Sequence, residues 1–379
     1  MLRFGLVKQL AWLALLAGIA LAFLVLGLRS KPKPKVPSTP SATTRFEPRL
    51  VRSGRGVCWN TERNDWKCVD TIPELKAVAV PAGGRPEDRC IQQPSGVWRC
   101  SDLARKGYLG PDVPEPRVRE NSFTSDMTGF DAATTVKAAS WFACGILAGK
   151  VACSGDGSKG QLGRAPEKTF IEDWQRSAYT PTPLQVPGTA GAVQLASSLD
   201  GTCALMQPSG TVLCWGFDDP DSNHCFDSRG REKSPPPLPC QPRAPRTPPG
   251  LPSCTALSGS TLYAALSREG QVYTWVEDGR KRSAVAVADL SSMQYVAVES
   301  INQICAASRA LVRCAWAPTP AALPLEDIRY GIDGWVHDFP ELSGAVALAA
   351  ISTGPCIRRA DGSVWCSLNQ QTVRVDTAL

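Results

Sequence analysis

Histidine is the scarcest functional residue of this sequence. Only His224 and His337 occur among 379 residues, and neither stands in a recognisable catalytic motif. Because histidine is the side chain most often used for acid–base catalysis, the sequence favours a protein that is not an enzyme and needs no cofactor. The acidic run DDPDSNHC (218–225) lacks the Gly and terminal Glu of a calcium-binding hand loop. A solvated loop is the simpler interpretation, and no metal site is expected.

A surplus of positive charge is missing from most of the chain. The formal net charge is +6, but six basic residues precede residue 37, where no acid occurs: Arg3, Lys8, Arg29, Lys31, Lys33 and Lys35. The remainder has 35 acidic and 41 − 6 = 35 basic residues. Since nucleic-acid binding usually requires a basic face or stripe, no nucleic-acid partner is expected.

One long apolar run lies near the N-terminus. Leu10–Leu28 is uncharged and, as a helix, long enough to cross a hydrocarbon core of about 30 Å. Cleavage near Ala22 by a signal peptidase, which would make the protein secreted, is the alternative. The run stays apolar beyond that point, which favours an uncleaved anchor at 1–29, followed by a Pro-rich linker at 30–48. No Cys follows closely enough for lipoprotein-type attachment.

The basic residues and the cysteines predict opposite orientations for this anchor. More basic residues follow the run than precede it, which would keep the linker side in the cytoplasm. However, the sequence has 15 cysteines, and many paired thiols require an oxidising compartment. We give the cysteines more weight because the charge rule is a tendency. Residues 49–379 are therefore predicted to be extracytoplasmic, in the periplasm or at the cell surface.

The cysteines bracket a unit that recurs about every fifty residues. Each copy contains two short strands around a turn, as in CALMQPSGTVLC (203–214) and CIRRADGSVWC (356–366). A further copy, YAALSREGQVYT (263–274), has the same pattern with Tyr263 and Thr274 at the expected cysteine positions. The joint absence of both cysteines is what a disulfide within each unit predicts.

The spacing within each unit favours disulfides. Structural zinc usually requires pairs separated by two to four residues, whereas these are separated by eight to ten, which suits a cross-strand bridge. Reduced, buried cysteines are the alternative. Cys254 has no mate and is predicted to occupy a buried strand position. The predicted pairs within the units are Cys58–Cys68, Cys90–Cys100, Cys144–Cys153, Cys203–Cys214, Cys305–Cys314 and Cys356–Cys366. A seventh pair, Cys225–Cys240, is predicted outside the units, where it would close a fifteen-residue interval in the insertion at 217–253.

Two stretches resemble the repeat of the regulator of chromosome condensation family: VQLASSLDGTCALMQPSGTVLCWGF (193–217) and GDGSKGQLG (155–163). The resemblance implies an all-β fold, a β-propeller of about seven blades. Six blades are the alternative, because only 32 residues separate the first cysteines of the first two copies. The apolar runs AVQLAS, YVAVES and AVALAA precede hairpins and are expected to be strands buried on both faces. Residues 372–379 are a candidate last strand completing the first blade.

The resemblance does not transfer the function of the family's named member, a nucleotide exchange factor on chromatin, because the apolar run and the cysteines fit neither a nucleus nor a nucleosome. Secreted or surface-attached bacterial members are the closer analogy. We therefore expect a membrane-tethered, extracytoplasmic propeller that binds a protein or a surface glycan, with the Pro-rich insertion at 217–253 as a candidate recognition loop. The alternative is a hydrolase or lyase with Asp200, Glu269 and Asp361 converging at the central channel.

Overall fold

The computed structural model describes residues 49–377 with internal gaps. The gaps are 54–55, 64, 71–75, 79–84, 88–89, 101–124, 140–141, 158–159, 165–167, 173–174, 199–200, 217–243, 261, 276–282, 300–302, 317–335, 352 and 369–370. The predicted anchor and linker lie outside the described residues. Within the described ranges, no helix is long and apolar enough to cross a membrane.

Within the described residues, twenty-eight strands form seven antiparallel sheets, called blades 1 to 7 in chain order. Blade 1 contains β1 (Leu50–Ser53), β2 (Gly56–Asn60), β3 (Trp66–Asp70) and β4 (Lys76–Val78). Blade 2 contains β5 (Arg85–Glu87), β6 (Cys90–Gln92), β7 (Trp98–Cys100) and β8 (Ser125–Asp126). Blade 3 contains β9 (Ala133–Ala138), β10 (Phe142–Leu147), β11 (Lys150–Asp156), β12 (Lys168–Glu172) and β13 (Gln175–Gln185).

Blade 4 contains β14 (Ala192–Ser197), β15 (Gly201–Met206) and β16 (Val212–Gly216). Blade 5 contains β17 (Cys254–Gly259), β18 (Tyr263–Ser267), β19 (Val272–Trp275) and β20 (Val285–Ala286). Blade 6 contains β21 (Tyr295–Val298), β22 (Gln303–Ala307), β23 (Val312–Trp316) and β24 (Val336–Phe339). Blade 7 contains β25 (Ala345–Ile351), β26 (Gly354–Arg359), β27 (Val364–Leu368) and β28 (Gln371–Arg374). One 3-10 helix, Pro340–Leu342, precedes β25.

The blades form a closed ring around a central channel. The first strand of each blade contacts the first strand of the next blade, and β25 of blade 7 contacts β1 of blade 1. This arrangement confirms the predicted all-β propeller. The step of 32 residues from Cys58 to Cys90 is accommodated by short strands: β4 and β5, which lie within it, have three residues each.

Apolar residues at the interfaces between neighbouring blades form the core. In one cluster, Phe142 and Val151 of blade 3 pack with Leu195 and Trp215 of blade 4. In another, Trp59 and Val69 of blade 1 are buried together with residues of blade 7. Each blade therefore depends on its neighbours for the burial of its apolar faces.

The turn residues predicted from the sequence do close the hairpins. In blade 7, the Asp361 carboxylate accepts hydrogen bonds from the Ser363 N–H at 2.9 Å and the Ser363 hydroxyl at 2.6 Å. Gly362 follows with φ = 85°, a left-handed conformation that glycine adopts without steric cost. The local sequence thus specifies where strand β26 must reverse.

Two expectations about the strands are wrong. The apolar runs at 192–197, 295–300 and 345–350 contribute the innermost strands β14, β21 and β25, but these are partly exposed on the channel side. In β14, Val193 is 41% exposed. The chain end does not complete blade 1: β28 pairs with β27 in blade 7, with Cys366 opposite Val373. Blade 1 already receives four consecutive strands from its own segment.

Candidate functional site

Six of the seven predicted cysteine pairs are disulfides in the structure. Each joins directly opposed residues of the second and third strands of one blade, with Cα atoms 4.0 to 4.1 Å apart. The seventh pair, Cys225–Cys240, lies outside the described residues. Cys254 is a free, buried residue at the start of β17, as predicted. The bonded sulfurs leave no thiolates in these hairpins for zinc.

In blade 5, the residue predicted to occupy the first cysteine position is wrong by one residue. The residue opposite Thr274 is Ala264, whereas Tyr263 lies opposite Trp275. Ala264 therefore occupies the first cysteine position, where Tyr263 was expected. Tyr263 is fully buried, stacks on Trp275 with 5.7 Å between ring centroids, and donates a hydrogen bond to the Ser198 hydroxyl of blade 4 at 3.1 Å.

The acidic residues of the enzyme alternative do not converge where they were expected. Glu269 and Asp361 both lie in hairpin turns and are exposed, and neither lines the central cavity. Hydrogen bonds from Ser363 lower the pKa of Asp361 and keep its carboxylate ionised. Asp200 lies outside the described residues. The interpretation of Glu269 and Asp361 as turn residues is therefore confirmed.

The remaining titratable candidates are surface groups. His337 is exposed on β24 and contacts the Phe339 ring edge-on, with 4.5 Å between centroids. Its neighbour Asp338 accepts a hydrogen bond from Arg313 at 2.9 Å, which lowers the pKa of Asp338. His224 lies outside the described residues. Across the part of the chain that the structure describes, no group of three or more His, Cys, Asp and Glu side chains could hold a metal ion.

The two ends of the propeller ring differ in the length of their connections. Antiparallel order places the turns between second and third strands at the same end as the links from one blade to the next. We call this the short-turn end; its hairpin turns are 61–65, 93–97, 148–149, 207–211, 268–271, 308–311 and 360–363. The opposite end, the long-connection end, carries the connections between third and fourth strands.

Five of those connections are longer than any link at the short-turn end. They span residues 101–124, 157–174, 217–245, 276–284 and 317–335. In blade 3 this connection contains β12 and leads to β13, which is the strand that pairs with β11. The third connection contains most of the predicted recognition insertion at 217–253, whereas Arg246 pairs with Cys214 and residues 247–253 lead to blade 5. Much of each lies outside the described residues. The strand order nevertheless requires all five to leave and re-enter the ring at one end.

One described part of this end explains the Gly-Gln-Leu-Gly motif. The Trp215 indole N–H of blade 4 donates a hydrogen bond to the Gln161 carbonyl of blade 3 at 2.9 Å. Gly163 has φ = 63°, and a Cβ placed there would lie 2.7 Å from Val186 Cγ1 and 3.0 Å from the Trp215 ring. The motif therefore fastens blade 3 to blade 4, which is a structural role.

The short-turn end presents a mixed, solvated surface. Its exposed charged residues carry both signs in neighbouring turns: Glu62, Arg63, Asp65, Asp131, Lys150, Arg268, Glu269, Arg309 and Asp361. Arg268 donates hydrogen bonds to the carbonyls of Pro208 at 3.0 Å and Ser209 at 3.2 Å in the preceding blade. Exposed charged residues of both signs are usual on a protein surface that faces solvent.

A cavity of about 860 Å³ lies at the centre of the ring. Residues of six innermost strands contribute to its described wall, and the charged ones are Arg49, Arg52 and Lys137. No Asp or Glu belongs to the described lining. Sequence reasoning missed these three residues. The signal that identifies them is a basic residue at a strand position where later repeats have an apolar or small one.

Comparisons with known proteins give structural neighbours only. No protein-family model and no curated protein matches the sequence. Human WBSCR16 has 14% identity and a TM-score of 0.46, with 73% of this chain and 77% of that chain covered. Prp20p of Saccharomyces cerevisiae, an RCC1 protein described with its binding to Gsp1p and histones, has 12% identity and a TM-score of 0.46, with 70% of each chain covered.

The ectodomain of the receptor kinase CR4 from Physcomitrella patens has 14% identity and a TM-score of 0.39, with 85% of this chain and 74% of that chain covered. Structural neighbours of this chain thus include proteins of the RCC1 family. At these identities and TM-scores the comparisons assign neither a family nor a function to it.

Proposed function

We propose that this chain is a membrane-tethered, extracytoplasmic propeller that binds another protein through its long-connection end, without catalysing a reaction. The single observation that supports this proposal is the position of the long connections. Five of seven blades have an extended link between their third and fourth strands, and all five meet at one end of the ring. Binding residues are commonly found on loops held by a rigid scaffold.

The scaffold reduces the cost of recognition. Interlocked blades fix both ends of each connection, so less conformational freedom is lost when a partner docks than for a free segment of the same length. The segments between described strands are shorter at the short-turn end: its hairpin turns have two to five residues and its links between blades have five to eight. A partner that requires a large contact area is therefore expected at the long-connection end.

The position of the chain start is compatible with a tether. Strand β1 begins at the short-turn end, because β1 to β2 is the first connection of the opposite end. Arg49, where the described part of the chain begins, therefore lies at the end of the propeller away from the long connections. The six disulfides indicate an oxidising environment, which supports the extracytoplasmic placement.

Site-specific photo-crosslinking in intact cells tests the proposal. A photoreactive amino acid replaces Ser283, exposed within the connection at 276–284, or Ala310, exposed in a short turn. We expect one defined protein adduct from position 283 and none from position 310. The adduct should disappear when residues 219–241 are replaced by a short Gly-Ser linker that leaves the pairing of Cys214 with Arg246 in place.

Adducts formed only from position 310, or no adduct from either position, would contradict binding at the long-connection end. An adduct from position 283 that persists in the loop-replacement variant would contradict a role of the insertion at 217–253 in that binding. Compartment is tested separately in the same cells. A membrane-impermeant protease added outside the cytoplasmic membrane should degrade the propeller once it is unfolded by mild heating. Full protection under that condition would place the domain in the cytoplasm.

A further inference from the structure

Formal charge is distributed unevenly among the innermost strands. Blades 1 and 3 contribute three basic residues to the described cavity wall, Arg49, Arg52 and Lys137, and no acidic residue. The innermost strands of blades 4 to 7, which are AVQLAS, CTALSG, YVAV and AVALAAI, contain no charged residue. One side of the channel is therefore cationic and the other side is neutral.

The neutral side of the cavity presents apolar side chains. Val296 of blade 6 and Leu348 of blade 7 line it and are half-buried, whereas the lining residues Leu195 and Leu257 are buried between blades. Val193 also lines it and is 41% exposed, one of two strongly exposed large apolar residues among those described. An apolar side chain left exposed inside a concave site is the usual feature of ligand pockets.

The cationic side is held by the fold. Arg49, whose backbone N–H donates to the Asn60 side-chain oxygen at 2.7 Å, directly precedes β1. Arg52 and Lys137 lie within the innermost strands of blades 1 and 3. Each of the three also makes at least one further interaction within the protein. Positive groups fixed on the wall of a concave, partly apolar site attract anions more strongly than the same groups on an open surface.

We propose that the central cavity binds a small amphipathic organic anion. Its carboxylate or sulfonate group would lie near Arg49, Arg52 and Lys137, and its apolar body would contact the walls of blades 4 to 7. The cavity volume of about 860 Å³ falls within the range of about 300 to 1,000 Å³ that is typical of small-molecule sites. This inference does not depend on partner binding at the long-connection end.

Calorimetric titration of the full chain in lipid nanodiscs tests this inference. The probe is 2-naphthalenesulfonate, and the neutral 2-naphthalenesulfonamide of nearly the same shape serves as the comparison ligand. Empty nanodiscs give the background from partition into lipid. We expect one saturable site for the sulfonate and at least tenfold weaker binding of the sulfonamide, because hydrogen bonds to charged groups are the stronger ones.

Three variants assign the site to the cavity. Arg52→Gln and Lys137→Gln should each weaken sulfonate binding about tenfold and leave sulfonamide binding nearly unchanged. Arg309→Gln removes an exposed charge in a short turn and should leave both affinities unchanged. Leu348→Asn should weaken both ligands if the apolar body lies against blade 7.

Circular dichroism and the urea midpoint of each variant establish that the fold is retained. The inference is overturned if neither ligand binds at millimolar concentration, or if both bind with equal affinity. It is equally overturned if the two cavity charge variants behave like Arg309→Gln.

Discussion

At the scale of single residues, blade 5 shows that a hairpin of this propeller can form without a disulfide. Ala264 and Thr274 take the place of a cysteine pair, and both are buried. The Thr274 hydroxyl donates to the Tyr263 carbonyl at 2.9 Å, so its polar atom is satisfied. The same strand pairing therefore forms without a covalent bridge, held by the ladder and by apolar burial.

Restoring the bridge in blade 5 should stabilise the protein. The double substitution Ala264→Cys and Thr274→Cys places two thiols at directly opposed positions, equivalent to those of the six existing disulfides. A closed loop of about ten residues contributes about 2–4 kcal/mol to the free energy of unfolding. Urea denaturation measures the gain, and non-reducing peptide mapping identifies the new pair. The single variant Ala264→Cys is the control and should gain no stability; two free thiols in the double variant would contradict the register.

The buried thiol of Cys254 should be inert in the folded protein. Burial, with a smaller contribution from Glu269, raises its pKa from 9.0 to about 11, and its Sγ donates to the Pro252 carbonyl at 3.2 Å. Since the thiolate is the reactive form, iodoacetamide at pH 8 should modify Cys254 slowly in native protein and rapidly in urea. Mass spectrometry of the alkylated peptide measures both rates. Equal rates would show that the site is open.

The same shift has a consequence for stability at high pH. The folded state favours the protonated thiol, so this contribution is fully present below pH 9 and is lost as the pH rises from about 9 to about 11. The variant Cys254→Ala lacks the titrating group. Its urea midpoint relative to the parent should therefore rise across that interval and stay level below it.

At the scale of elements, the contacts between blades matter as much as the strands themselves. The Trp215 indole crosses from blade 4 to the Gln161 carbonyl of blade 3, and Trp98 of blade 2 makes the corresponding kind of bond to the Ala133 carbonyl of blade 3 at 3.3 Å. Trp365, by contrast, donates within its own blade to the Ser363 hydroxyl at 2.9 Å. Tryptophans near the second cysteine thus serve different elements in different blades.

This difference predicts unequal effects of the same substitution. Trp215→Phe leaves a buried carbonyl without its donor and should lower the free energy of unfolding by about 1–3 kcal/mol. Trp365→Phe changes a half-buried ring whose partner hydroxyl can bond to Asp361, so its cost should be smaller. Urea denaturation of both variants gives the comparison. A larger loss for Trp365→Phe would contradict the assigned role of Trp215.

Features that depend on short segments of the chain could be predicted from the sequence. Features that depend on contacts between residues distant in the chain could not. Hairpins and their disulfides follow from short spacings and from turn residues such as Gly362, and these were identified correctly. The alignment of Tyr263 with the cysteines failed because strand register is set by the opposite residue, here Trp275. The pairing of β28 and the exposure of Val193 depend on how seven sheets close around a channel, which no short segment encodes.

At the scale of the whole molecule, the ring closes through side chains at the junction of blades 7 and 1. Arg358, only 4% exposed, donates to the Asn60 side-chain oxygen at 2.6 Å and to the Arg49 carbonyl at 3.4 Å. Burial lowers the pKa of Arg358 because its charge loses water. A buried guanidinium with these partners joins the first and last sheets where no shared strand does so.

Removing its acceptor should weaken the closure. Asn60→Ala leaves Arg358 without one of its partners and should cost about 2–3 kcal/mol of unfolding free energy. The double variant Asn60→Leu with Arg358→Met removes both polar groups and should recover part of that loss. Urea denaturation gives the energies, and hydrogen exchange of β1 and β25 localises the effect. Equal protection in Asn60→Ala and the parent would contradict this role of the junction.

The placement of the disulfides has a mechanical consequence. Every bridge in the described part of the chain joins neighbouring strands of a single blade, so none crosses from one blade to another. The ring can therefore open at the junction of blades 7 and 1 while all six disulfides remain intact. During synthesis, the disulfide of each blade can form as that blade is made. The junction of blades 7 and 1 forms only after blade 7 has been synthesised.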